Sequence, residues 1–215
     1  MNRVRPLLLV LLAALLMGAA KGPDPRLLEP AALTDVAPAE YTVRLKTTEG
    51  VILLDVTRAW APLGADRFYN LVQNGFYDDV AFFRVIANFV AQVGLTGDPA
   101  VNAAWKEATF PDDPATQSNL EGTVVFATAG PGTRTTQVFI NLKDNERLDD
   151  MGFAPFGKVR DMKAARKLWV GYGEGAPEGK GPDQVKLGDE GEPYLSGFPK
   201  LDRIVKATVV RRSDG

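Results

Sequence analysis

The chain has 215 residues, 45% of them hydrophobic and 24% charged, and a net charge of −2. That is enough for one domain with a core, and it offers no basic footprint for nucleic acid. There is no Cys and no His, which excludes disulfides, thiolate nucleophiles, Ser-His-Asp chemistry and the commonest transition-metal ligand. Arg, Lys, Tyr, carboxylates, amides and backbone groups remain to carry any activity, and no metal or cofactor site is expected.

Residues 1–20 read as a signal peptide. Arg3 and Arg5 precede an apolar run from Leu7 to Met17, too short to span a bilayer comfortably. Gly18-Ala19-Ala20 places small residues for a cut after Ala20. Cleavage there would leave no stable membrane anchor. Residues 21–39 carry Pro23, Pro25, Pro30 and Pro38 and read as an extended, mobile Pro-rich linker. The folded domain is expected over residues 40–212.

Tyr41, Val43 and Leu45 alternate with polar residues, the period of a half-buried strand. Glu49-Gly50 turns the chain into a second strand, Val51 to Thr57. Pro62 fits a first helical turn. Ala65, Phe68, Tyr69, Leu71 and Val72 then give an amphipathic helix ending near Asn74-Gly75. Two short runs, Ala81–Ile86 and Phe89–Gly94, meet at Ala87-Asn88, and Asn tolerates the positive φ of a tight reversal. Arg84 is anomalous among these apolar residues. It is either an edge cation reaching solvent or a cation on the floor of an apolar groove with Gln92 close enough to orient it.

Residues 95–121 are broken by Gly97, Pro99, Pro111 and Pro114 and read as irregular, pinned to the core by Trp105 and Phe110. Gly122 to Ala127 is a buried strand, Gly130-Pro131-Gly132 a turn, and a strand resumes at Gln137. Asp161 to Val170 is expected to be a second helix, with Met162, Ala165, Leu168 and Trp169 on its apolar face. The Gly-rich stretch 171–191 is not a phosphate loop: Lys180 is followed by Gly181, and no buried strand precedes it. It reads as a surface loop. Leu201 to Arg212 supplies a last strand.

The run Phe82-Phe83-Arg84-Val85-Ile86-Ala87-Asn88-Phe89-Val90-Ala91-Gln92-Val93-Gly94 resembles the F-H-R-x-I-x-x-F-x-x-Q-G-G signature of the cyclophilins, peptidyl-prolyl cis-trans isomerases. Ala127 to Ile140 is similar to that family's A-N-A-G-P-x-T-x-x-S-Q-F-F-I motif, and Leu148 to Val159 to its W-L-D … V-F-G-x-V segment. The Gly-rich run looks like an insertion in a bacterial branch of the family. There are departures. Phe83 replaces the family's His, Val90 a pocket Met, and Val93 the first Gly of the closing pair. Arg147 stands where many members carry the Trp on which cyclosporin packs.

The resemblance implies a mainly β fold, a closed eight-stranded antiparallel barrel capped by two α-helices with its groove outside. It implies Arg84 and Gln92 as the catalytic pair. Phe89, Val90, Phe139 and Leu148 would form the proline pocket, and Ala127, Thr128 and Gln137 the strand edge that binds substrate backbone. The implied partners are proline-containing segments of client proteins, met by a monomer exported most simply to the periplasm. Two other readings stay open: a scaffold that binds proline segments without turnover, and a hydrolase using the paired acids Asp112-Asp113 or Asp149-Asp150. Both pairs sit in turn-like sequence, where a solvated Asx turn is the plainer role.

Overall fold

The computed structural model describes residues 24–210; the segment read as a signal peptide lies outside them. β1 (Glu40–Thr47) and β2 (Gly50–Thr57) form the expected hairpin. Its period-2 alternation buries Val43, Leu45, Ile52, Leu54 and Val56 on one face and leaves Arg44 and Lys46 in water. The helix α1 (Pro62–Gln73) starts on Pro62 and has Ala61 at its N-cap, which offers no side-chain acceptor. The Asp113 carboxylate supplies one from a distant loop, accepting from the Leu63 and Gly64 N–H groups at 3.1 and 2.8 Å.

Then come β3 (Val80–Ala81), β4 (Arg84–Val85), β5 (Val90–Val93), a helix α2 (Pro99–Lys106), β6 (Thr123–Phe126), β7 (Val138–Asn141), β8 (Pro155–Val159), helices α3 (Gln184–Glu190) and α4 (Glu192–Leu195), and β9 (Arg203–Val210). The strands form one antiparallel sheet in the order β3-β9-β1-β2-β8-β6-β7-β5-β4. Its two edges, β3 and β4, are consecutive in the chain and separated only by Phe82-Phe83. The sheet therefore curls back on itself around a core that includes Leu45, Leu54, Phe68, Phe82, Val93, Val124, Ile140, Val159 and Ile204. This corrects the expected eight-stranded barrel: nine strands are present among the described residues, and β3 and β4 meet through the chain, not through a ladder.

The helices also differ from expectation. Residues 161–170 form turns around a short 3-10 segment, Ala165–Lys167. Lys167 and Leu168 N–H groups bond three residues back, and the Trp169 N–H goes to the Asp202 carboxylate at 2.6 Å. A helix that short is marginal alone, so one tertiary acceptor redirects it. Conversely, the stretch read as irregular contains α2. Pro99 is its first helical residue and Asp98 its N-cap, accepting from Ala100 N–H at 2.8 Å. Trp105 is buried on α2 and donates its indole N–H to the Leu27 carbonyl at 2.8 Å. Phe110 packs edge-on against Phe126, as its pinning role required.

That Leu27 contact belongs to a further difference. The Pro-rich segment from Asp24 to Ala39 lies against the domain where mobility was expected. Leu27 and Ala37 are buried, and α1 holds the segment through Asn70 to Asp35 N–H and Asp66 to Ala37 N–H. Within the Gly-rich stretch, Asp183 caps α3 through the Val185 and Lys186 N–H groups, and Leu187 is fully buried.

Candidate active site

The hairpin β4–β5 turns at Ala87-Asn88 with Asn88 at φ 56°, the left-handed conformation its side chain tolerates. The resulting register sets Arg84 opposite Gln92. The next two ladders set Gln92 opposite Phe139 and Phe139 opposite Val125. A row Arg84–Gln92–Phe139–Val125 thus crosses four strands. Residues of opposite parity, Ala91, Val93, Val124 and Ile140, fill the core, so the row lies on the outer face of the curl.

Around it, Val90, Val125, Phe139 and Leu148 form a separate buried apolar cluster, with Phe89, Ala127 and Phe153 packed against it. Phe153 meets Phe139 edge to face at 5.6 Å between ring centroids and closes one wall of the cluster. The groove above this cluster has a volume of about 460 Å³, and Arg84, Gln92, Phe89, Val90, Ala127, Thr128, Gln137, Phe139 and Leu148 all line it. Every residue expected at the site is therefore brought together.

Polar bonds fix the row. Arg84 Nη1–H donates to Gln92 Oε1 at 3.1 Å, and Gln92 Nε2–H donates to Gln137 Oε1 at 2.8 Å. Leu148 is carried on a 3-10 turn, Glu146–Met151. That turn is held by Asp149, whose carboxylate accepts from Ser118 Oγ at 2.6 Å and from the Asn119 backbone and side chain at 2.8 and 2.7 Å. Burial works against the Asp149 charge, but these donors outweigh it and hold the carboxyl below its ordinary range. Asn145 ties the same turn to the Phe89 carbonyl at 3.0 Å. The acid pairs that could have served hydrolysis are thus partly committed to structure: Asp149 to this turn, Asp113 to α1, and Asp112 to an ion pair with Arg134.

Three features escaped the sequence reading. Phe83 is fully buried and packs with Ala81, Leu187 and Leu195. Parity sends Phe82 into the core and Phe83 outward, beneath α3 and α4. An imidazole there would be buried among aliphatic carbons, which explains an apolar residue in that place. Arg147 stacks its guanidinium 4.8 Å from the Phe89 ring centroid, with Arg84 5.6 Å from the same ring. Finally, Glu174 of the Gly-rich stretch reaches Arg84, with Nε–H to Oε1 at 2.5 Å and Nη2–H to Oε2 at 2.7 Å. That hydrogen-bonded pairing is the main reason its carboxyl lies below its ordinary range, against some burial. No signal in the local sequence could link positions ninety residues apart.

Residues 42–170 match the model of the cyclophilin type peptidyl-prolyl cis-trans isomerase family. The chain belongs to the cyclophilins. A peptidyl-prolyl cis-trans isomerase of Acinetobacter baylyi is 35% identical over 135 residues, 56% of this chain and 67% of its own. A peptidyl-prolyl cis-trans isomerase-like 1 protein of Gibberella zeae is 30% identical over 177 residues, 79% of this chain and 95% of its own. A cyclophilin of Cryptosporidium parvum shares the fold, with a TM-score of 0.59 at 19% identity, covering 80% of this chain and 99% of that one. The protein is thus a cyclophilin-type peptidyl-prolyl isomerase. Its family match ends at Val170, so Glu174, α3 and α4 lie beyond the matched region.

Proposed function

We propose that this cyclophilin is exported, to the periplasm in a bacterial cell, and isomerises X-Pro bonds in exported clients as a monomer, with Arg84 and Gln92 as its catalytic pair. The observation that carries the assignment is the Arg84–Gln92–Phe139 row: a held guanidinium beside the apolar cluster of Val90, Phe139 and Leu148. The order of basic, apolar and small residues in 1–20 supports export. A related Cryptosporidium parvum cyclophilin has been solved in the presence of the dipeptide Ala-Pro, which supports a prolyl ligand here.

The X-Pro bond rotates over a barrier of about 18–20 kcal/mol set by amide resonance. Its two ends differ by only about 0.5–1 kcal/mol. Catalysis therefore needs no nucleophile and no base, in keeping with a chain without His or Cys. It must favour the twisted state, in which resonance is lost and the prolyl nitrogen carries a free lone pair. A millionfold acceleration corresponds to about 8 kcal/mol of differential binding.

A guanidinium has five N–H donors. Glu174 and Gln92 engage three of those of Arg84. One on each terminal nitrogen is left without a partner among the described residues, and these two are available to the prolyl nitrogen and the neighbouring carbonyl. The proline ring enters the pocket of Phe89, Val90, Phe139 and Leu148, where water is excluded. Ala127, Thr128 and Gln137 run along the groove and bind the substrate backbone. The test is the rate of cis-trans interconversion of a short X-Pro peptide with wild type and Arg84→Ala. A folded Arg84→Ala protein at the wild-type rate removes Arg84 from the mechanism. Export has a separate test in the N-terminus of the secreted chain.

A further inference from the structure

We propose that Glu174 is a positioning residue for the isomerisation: it clamps the side-on edge of the Arg84 guanidinium so that the end-on edge is presented to the twisted prolyl amide. The inference rests on the reading of Arg84 as the catalytic donor.

The loop is built to hold this carboxylate in place. Gly173, at φ 63°, forms an antiparallel bridge with Val85, so the loop pairs onto the outer edge of β4, next to Arg84 itself. The Glu174 carbonyl accepts the Gly181 N–H at 2.7 Å, and its Oε1 accepts the Gly175 N–H at 2.9 Å. A Cβ at Gly179 would fall 2.7 Å from the Glu174 Cβ, so the loop closes around this residue only with glycine there. The chain then enters α3 and α4, whose Leu187 and Leu195 pack on Phe83, the neighbour of Arg84. Loop and catalytic strand are therefore fastened at three points: the backbone bridge, the ion pair and the Phe83 cluster.

The pairing is no ordinary surface bridge. The Arg84 side chain is only 18% exposed and both carboxylate oxygens are engaged, the fork geometry that fixes orientation as well as distance. A negative partner lowers the net charge that Arg84 offers, but the prolyl nitrogen develops a lone pair rather than an anion. Direction of the donor then matters more than net charge. Free rotamers of an arginine correspond to roughly a thirtyfold loss on fixing it in one geometry. Gln92 retains part of that restraint, so removing Glu174 costs about tenfold in kcat.

The experiment measures kcat and KM on an X-Pro peptide for wild type, Glu174→Gln, Glu174→Ala, Arg84→Ala and the Arg84→Ala/Glu174→Ala double variant, with thermal melts of each. Glu174→Ala is expected to lower kcat about tenfold while KM moves less than about threefold. Glu174→Gln, isosteric and still an acceptor, should recover part of the loss. The double variant should be no slower than Arg84→Ala. If Arg84→Ala is crippled while Glu174→Ala turns over at or above the wild-type rate, Glu174 positions nothing, and the inference fails alone. Strictly additive losses in the double variant also overturn it. If Arg84→Ala itself keeps the wild-type rate, the reading of Arg84 fails and takes the inference with it.

Discussion

Replacing Arg84 with Lys keeps the charge and removes the planar fork. The guanidinium makes three bonds, two to Glu174 and one to Gln92, and presents a further N–H on each terminal nitrogen. An ammonium is a point charge on a flexible stem; it can satisfy Glu174 or reach the substrate, but not span nitrogen and carbonyl together. Loss of one preorganised donor costs about 3–4 kcal/mol in the transition state, roughly a hundredfold to a thousandfold in rate. The fold should lose little, because the Glu174 side chain, 38% exposed, can return to water when the fork is gone. Peptide affinity should also change less than turnover, since Phe89, Phe139 and Leu148 still form the pocket. The assay pairs turnover of an X-Pro peptide with its equilibrium binding, using circular dichroism to verify folding. A folded Arg84→Lys protein within threefold of the wild-type rate would refute the argument that two directed donors are needed.

Four further outcomes follow from particular residues. Mass spectrometry of the exported protein should find its N-terminus at Lys21; full-length chain retained in the membrane fraction would count against export by cleavage. Cyclosporin should inhibit weakly, because Arg147 over Phe89 offers no flat apolar indole face, and Arg147→Trp should tighten inhibition; wild-type inhibition as strong as that of a Trp-bearing cyclophilin would contradict the placement. Phe83→Ala should destabilise the fold by about 3–5 kcal/mol, the usual loss for a buried Phe, because the ring is fully buried between the β3–β4 connection and α3–α4; a denaturation midpoint near wild type would deny the docking role. The rate should be flat between about pH 6 and 8, because there is no His or Cys to titrate. At acid pH the sign is fixed by Glu174, whose carboxyl lies below its ordinary value of 4.5: its ion pair is fully present above that value and is lost as pH falls through the lower folded one. A bell-shaped profile centred near neutrality would point to a titrating group other than Arg84, Gln92 and Glu174.

Much of the site was legible because it is local. Arg84 and Gln92 belong to one hairpin, and strand alternation with a positive-φ Asn88 suffices to set them opposite each other. Phe139 and Leu148 were legible through the family's spacing. What failed did so where a residue's partner lies far along the chain. Pro99 reads as a breaker, and the helix it opens is anchored by Trp105, whose indole N–H reaches the Leu27 carbonyl 78 residues away. Residues 161–170 carry a helical pattern, yet Asp202 takes the Trp169 N–H and the segment tightens into turns. Asp149 takes the turn role that was the plainer reading of its pair, but its donors, Ser118 and Asn119, lie some thirty residues away and were not legible.

The sequence by itself determined the strand alternation, the β4–β5 hairpin, the exclusion of His and Cys chemistry, and a cation among apolar residues. These rest on near-neighbour sterics and on residue chemistry, which need no knowledge of where distant segments lie. Tertiary structure decided the closing contact of the curl, the folding of 24–39 onto α1 and α2, and the fate of Phe83. It also settled the open question of Arg84. The guanidinium lines the groove with Gln92 bonded to it, as the second reading expects, and is gripped besides by a carboxylate from residue 174. That choice could be made only in three dimensions, because the glycines that shape the Glu174 loop carry no side-chain pattern to betray where it docks.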